Sequence, residues 1–295
     1  MKETIYHSYA GEQIALHRFG DKASAYPPIL LVHGSIENGK IFYSTSGKGL
    51  APYLAQRGFQ VFVADLRGKG ASTPTVSGQS KATQTDTIMG ELPSIIQFVK
   101  ETTGSEALHL GAHSWGGVLL LAAYALFHDR WNIGSMVFFG TKRRIGVRNL
   151  HKFFTIDIGW SIIGSLATWI YGYLPAKKLK MGSDNEPGRF YFQLNRWVYS
   201  KKWVDPETKT DYREKLGKLS LPPLHFYTGI NDKLLGHPAD VKRLLLETGQ
   251  PHATLTILSK QNGNLHDYDH INALTHPDAV KDHFAEVAEI FRVNS

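Results

Sequence analysis

Ser114 stands in the string Leu110-Gly111-Ala112-His113-Ser114-Trp115-Gly116-Gly117. The residues before it read as a strand, and Trp115 to Phe127 as a strongly apolar helix, so the serine occupies the turn between them. Small residues two before and two after it, Ala112 and Gly116, let that turn tighten until strand and helix nearly touch. The hydroxyl is then pushed to the rim of a sheet in a strained backbone conformation. The helix start aims backbone N–H groups at the same point, where an attacked carbonyl oxygen would gain charge. The chemistry this suits is nucleophilic acyl transfer. An A-x-S-x-G string also arises by chance around a plain helix N-cap; the strand–turn–helix setting favours the nucleophile.

A serine hydroxyl needs a base. Among 14 histidines, His266 and His270 share a polar loop, Leu265-His266-Asp267-Tyr268-Asp269-His270-Ile271-Asn272, after the last strand and before the last helix. Either could serve. Asp232 closes another strand in Gly229-Ile230-Asn231-Asp232 at the same rim; it could orient the base and stabilise its charged form, or merely cap a loop. His33-Gly34-Ser35-Ile36 leaves a strand at that rim too. The N–H of Ser35 or Ile36 could pair with that of Trp115 as an oxyanion hole, while the His33 ring is expected to bond loop backbone.

These positions demand a particular scaffold. Strands are predicted at Thr4 to Ser8, Gln13 to Phe19, Ile29 to Val32, Phe59 to Leu66, Ala107 to Leu110, Ile133 to Phe139, Leu224 to Thr228 and Ala253 to Leu258. Helices are predicted at Gly49 to Arg57, Thr85 to Glu101 (Pro93 in its early turns), Trp115 to Phe127, Ala239 to Thr248 and Asp278 to Arg292. Strand and helix in alternation mean an α/β fold: a mostly parallel, eight-stranded sheet flanked by helices, its first two strands forming an antiparallel edge. Residues 142–219 break the rhythm between two core strands and read as an inserted cap of three or four helices. The core is then 1–141 and 220–295.

Composition narrows the function. Of 295 residues, 42% are apolar and 20% charged, as in ordinary globular chains. The absence of cysteine excludes disulfides, thiolate metal sites and a cysteine nucleophile. The net charge of +7 is modest, and no nucleic-acid module accompanies it, so no nucleic-acid partner is expected. No G-x-G-x-x-G or phosphate-loop pattern appears, and no metal or organic cofactor is called for. The N-terminus lacks a signal-like apolar run, which favours the cytoplasm.

The chain resembles the α/β-hydrolase superfamily, of the capped serine esterase or lipase type, over about three quarters of its length: through Thr141 and again from Leu221. The matching elements are His33-Gly34, the turn Asp65-Leu66-Arg67-Gly68-Lys69-Gly70-Ala71-Ser72, the elbow at Ser114, Gly229-x-x-Asp232, and His270 ahead of the last helix. Ala112 departs from the glycine many relatives carry. The resemblance implies the order Ser114, Asp232, His270. It selects His270 over His266 because Asn272 and Asp278-Ala279 follow at the family's spacing. Serine at the elbow argues against dehalogenases and epoxide hydrolases, whose families attack through carboxylates. The implied reaction is ester hydrolysis through an acyl-enzyme; thioesterase, amidase, peptidase or acyltransferase chemistry uses the same groups, and a non-catalytic binding protein is the rival from another class.

The cap hints at the substrate. Its segment FFTIDIGWSIIGSLATWIYGYLP (153–175) has Asp157 as its one charged residue. Lys142, Arg143, Arg144, Arg148 and Lys152 precede it, and Lys177, Lys178 and Lys180 follow. The length suffices for a membrane span, but the segment lies between strands of one sheet, which a span would drag into the bilayer. Helices covering an apolar site, or a lid that touches lipid surfaces transiently, fit better. Phe153, Trp160, Trp169 and Tyr173 are the expected lining of a pocket for a small hydrophobic ester, and peripheral membrane association is compatible with this.

Overall fold

Ile29–Val32 is buried at all four positions, with Ile29 and Leu31 in one apolar layer and Leu30 and Val32 in the other. Val61 and Val63 alternate with Phe62 and Ala64 in the same way. Strands covered on both faces sit at the centre of a parallel sheet. The computed structural model, which describes residues 2–295, builds that sheet from eight strands.

They are β1 (Lys2–Tyr9), β2 (Glu12–Phe19), β3 (Ile29–Val32), β4 (Val61–Asp65), β5 (Ala107–His113) and β6 (Asn132–Phe139). An insert carries the short pair β7 (Tyr173–Leu174) and β8 (Glu186–Pro187); β9 (Leu224–Gly229) and β10 (Thr254–Leu258) complete the sheet. The order across it is β1-β2-β4-β3-β5-β6-β9-β10. Only β2 runs against the rest, pairing antiparallel with β1 and β4. All other neighbours are parallel, so β3, β5, β6, β9 and β10 deliver their following loops to one rim, where ligands bind in open α/β sheets.

Two helical layers cover the sheet. The Trp115–Phe127 helix is buried from Trp115 through Ala125, as an all-round apolar helix must be. On the opposite layer, Leu50 and Leu54 meet Phe284, Val287 and Phe291. The segment predicted as Thr85 to Glu101 runs as 84–103 with π-type turns over Thr87–Glu91, just before Pro93; wider turns there absorb the missing proline N–H. The predicted closing helix divides. A 3₁₀ turn at Pro277–Lys281 and the Phe284–Val293 helix are separated at Asp282, whose carboxylate instead accepts from Asn264, Leu265 N–H and Tyr268.

The 142–219 insert holds the long helix Leu150–Tyr171, the helices Gly188–Tyr199 and Tyr212–Gly217, and the β7–β8 ribbon. Trp197, Trp203 and Tyr212 pack edge to face as its core. Arg143 bolts the insert to the sheet domain. It donates to both Glu247 oxygens at 2.8 Å and to the Trp197 and Ser200 carbonyls. Arg143 and Lys142 are therefore interior side chains, a correction to their reading as part of a basic flank; Arg148, Lys177, Lys178 and Lys180 are exposed.

Candidate active site

The Ser114 turn has φ 50° and ψ −121°, a conformation side chains adopt only when the surroundings hold them there. Ser114 N–H donates to the Phe139 carbonyl at 2.8 Å. Gly34 and Gly116 explain how the turn fits against the end of β3. A β-carbon at Gly34 would lie 2.8 Å from Ser114 Cβ, and one at Gly116 would lie 2.5 Å from the Val32 and His33 carbonyl oxygens. His33 is structural as expected: its Nδ1 donates to the Gly34 carbonyl, and its Nε2 accepts from Leu66 N–H.

Asp232 follows β9, and His270 sits in the loop after β10. Nδ1 of His270 donates to Asp232 Oδ2 at 2.6 Å. The loop is held by Asp269, which accepts from the Ile271 and Asn272 amides, and by Asn272, which accepts from Asp269 N–H. Burial opposes a charge on Asp232, but the neighbouring ring keeps its carboxyl below the ordinary value. Burial lowers the His270 pKa; Asp232 pulls it up, and the charges of His113 and Lys142 push it further down. A neutral imidazole beside an ionised carboxylate is the state a general base requires. Ser114 and His270 line one cavity of about 1140 Å³. The Asp232–His270 bond is formed, while no hydrogen bond joins the Ser114 hydroxyl to the His270 ring.

His266 is elsewhere. Its Nε2 bonds Asp278 at 2.9 Å, and it does not line the cavity. His266, His276 and Asp278 bring three ligand atoms within 4.8 Å of one another, and His276 Nδ1 accepts from Asp278 N–H.

The three amides expected to form an oxyanion hole differ in their partners. Ile36 N–H is spent on Glu186 Oε2 at 2.8 Å, and the same oxygen accepts from Ser35 Oγ at 2.6 Å. Ile36 is therefore corrected out of the donor set. The N–H groups of Ser35 and Trp115 have no hydrogen-bond partner among the described residues. Of the expected lining, Trp160 faces the cavity with Ile156, Leu194 and Val198. Phe153, Trp169 and Tyr173 do not; Trp169 is 79% exposed, on the outer face of its helix.

Three side chains at the site escaped sequence reasoning. His113, next to the serine, directs Nδ1 to Glu37 Oε1 at 2.6 Å and Nε2 to the His270 carbonyl at 3.0 Å. Both partners are acceptors, so the geometry favours a proton on each nitrogen. Burial works against that charge, but Glu37 outweighs it and raises the pKa. Burial would also raise Glu37, yet the His113 charge and hydrogen bond hold it at about 2. The third is Lys142, which burial pulls down to about 8 against the attraction of Asp232, Asp240 and Glu37. His113 stood in the elbow string and Glu37 three residues after Gly34; only their pairing was hidden.

Comparison with known proteins bears on the fold. Triacylglycerol lipase 1 of Arabidopsis thaliana is 31% identical over 128 residues, 40% of this chain. The match spans 32% of the plant protein, about a third of its length. A thermophilic esterase from Thermogutta terrifontis superposes with a TM-score of 0.61 at 17% identity, covering 100% of this chain and 99% of that one. A haloalkane dehalogenase from Bradyrhizobium elkani gives 0.65 at 16% identity, over 100% of both chains. These two likenesses speak to the fold. The family described as alpha/beta hydrolase fold matches residues 27–180, more than half of the sequence and the whole stretch from β3 through the elbow, and this chain belongs to it.

Proposed function

We propose that the protein is a serine hydrolase of carboxylic esters with hydrophobic, medium or long acyl groups, working through Ser114, Asp232 and His270. The observation that carries this reading is the 2.6 Å Asp232–His270 bond opening onto the cavity that the strained Ser114 turn also lines. In this mechanism His270 Nε2 takes the Ser114 proton as Oγ bonds to the carbonyl carbon. The N–H groups of Ser35 and Trp115 receive the oxyanion. The C–O bond to the alcohol then breaks, and His270 returns the proton to the leaving oxygen. Water repeats the sequence on the acyl-enzyme.

The insert acts here as the cap. Ile156, Trp160, Gly164 and Thr168 form its inward stripe, while Phe154, Ile162, Leu166, Trp169 and Ile170 stand exposed. So large an outward apolar face, with Arg148, Lys177 and Lys178 nearby in sequence, supports transient contact with a lipid surface. The lipase name of the plant relative points the same way.

The test is turnover of a p-nitrophenyl ester series, a thioester and an anilide, with Ser114→Ala alongside. We expect ester turnover and fluorophosphonate labelling in the wild type, a loss of about four to six orders of magnitude in kcat for the variant, and faster rates once an ester passes its micelle concentration. Labelling that survives Ser114→Ala would overturn the nucleophile. Simple saturation through the micelle point would remove the lipid contact.

A further inference from the structure

Lys142 follows β6 and is 5% exposed, yet its side chain lines the cavity that holds Ser114 and His270. A buried ammonium ordinarily has a carboxylate beside it. This one has no ion pair and no hydrogen-bond acceptor among the described residues. Asp232 is bonded to His270, Asp240 to Arg243 and Gly146 N–H, and Glu37 to His113 and Gly34 N–H. Each nearby carboxylate is thus already committed. The rest of the cavity wall has the same bias. Among its described residues are five lysines (Lys2, Lys40, Lys142, Lys177 and Lys180) and three carboxylates (Glu37, Asp65 and Asp184). Asp65 accepts from His17 and from the Gly39 and Ala71 amides, and Asp184 from Asn38. Lys177 pairs with Asp184, but Lys2, Lys40 and Lys180 leave the wall with a positive bias that attracts an anion, and Lys142 feels the charge of Asp232.

We propose that Lys142 receives an anionic oxygen group of the substrate, a carboxylate or phosphate set a few bonds from the scissile carbonyl, so that the preferred ester is apolar in its body and anionic at one end. This rests on the proposed ester hydrolysis and narrows its substrate class. An arriving anion completes the missing ion pair and removes the main cost of burying the ammonium. The depressed pKa of about 8 fits a group whose partner is absent, and anion binding would return it toward the ordinary lysine range. The charged and titratable groups that face it are Asp232, Asp240, Glu37, His113 and His270.

The experiment compares mono-p-nitrophenyl adipate, anionic on the acyl side, with neutral p-nitrophenyl hexanoate. In parallel it compares a 1-acylglycerol 3-phosphate, anionic on the alcohol side, with the neutral 1-acylglycerol. In the wild type at pH 7 we expect kcat/KM to favour the anionic member of one pair by about tenfold or more. Which pair responds identifies the side that carries the anion. The preference collapses toward unity in Lys142→Met, is kept in Lys142→Arg, and fades in the wild type as the pH rises past 8. A wild-type ratio of one or less in both pairs overturns the proposal. So does an unchanged ratio in Lys142→Met with only the pH profile moved, which would make the lysine a fixed charge beside His270. Calorimetric titration with octanoate answers independently of turnover: at least about tenfold weaker binding in Lys142→Met supports the site, and equal or no binding in both proteins overturns it. If octanoate binding depends on Lys142 but no ester is cleaved, the ester reading fails and the anion site stands.

Discussion

Two histidine–carboxylate pairs lie almost against each other in this molecule, and they end in opposite states. Asp232–His270 and Glu37–His113 both bond at 2.6 Å, the His113 side chain is buried and that of His270 only 10% exposed, and the rings lie 4.6 Å apart. Yet His113 is driven up in pKa and His270 down. The difference lies at the second nitrogen. His113 Nε2 meets a carbonyl acceptor, the backbone of His270 itself, so a proton on each nitrogen is satisfied. His270 Nε2 has no such acceptor among the described residues, and the His113 and Lys142 charges repel a second proton. A carboxylate partner alone does not set the charge of a histidine; the acceptor at the other ring nitrogen and the neighbouring charges count as well. One pair becomes a fixed ionic scaffold and the other stays free to accept a proton.

The largest break in this comparison is expected from Asp232→Asn. The amide keeps the shape but no longer stabilises the imidazolium or holds the required tautomer, so kcat should fall by about 10⁴ with an unchanged melting transition. A loss smaller than tenfold would show that Asp232 is not the orienting acid.

Glu37→Gln attacks the scaffold pair instead. It leaves the His113 charge without its partner, and breaking a buried pair in this way costs about 3 kcal/mol, measured as the difference in unfolding free energy at pH 7. The pH dependence is fixed by the two shifts. Glu37 is depressed to about 2, so its contribution is complete above the ordinary glutamate range and lost as the pH falls toward 2. The His113 pKa is raised, so its contribution is complete below its ordinary value and lost as the pH rises through the raised one. The gap between wild type and variant should thus be widest in the mildly acid range and narrow on both sides. Activity responds too: with the His113 proton less stable, His270 rises and the acid limb of kcat/KM moves to higher pH. A limb that stays in place would uncouple the two rings.

How legible this was depended on distance in the chain. Continuous apolar runs such as Ile29–Val32, and the glycines around Ser114, encode strand burial and a tight elbow within a few residues, so the sheet and the rim positions of Ser114, Asp232 and His270 followed from sequence. What failed was set by contacts across the insert. Glu186 reaches the Ile36 amide from 150 positions away, and no local pattern says that this N–H is taken. The Leu150–Tyr171 helix is apolar on every side, so periodicity could not tell Trp160, which faces the cavity, from Trp169, which faces out. Lys142 and Arg143 read as surface charge because their burial depends on where the insert folds back.

A third pair gives the smallest expected effect and the sharpest control. His266 and Asp278 bond at 2.9 Å, but both are more than a third exposed, and neither touches the cavity. Water there screens the pair, and exposed ion pairs contribute little to stability. His266 lies four residues before His270 in the same loop, so sequence alone makes it a fair rival for the base. His266→Ala should leave ester turnover, its pH profile and the melting transition where they are in the wild type, while His270→Ala should abolish turnover. If the His266 variant lost activity and the His270 variant kept it, the base would have to be reassigned to a ring that the fold holds outside the cavity, and the contrast between the two buried pairs would no longer describe the reaction.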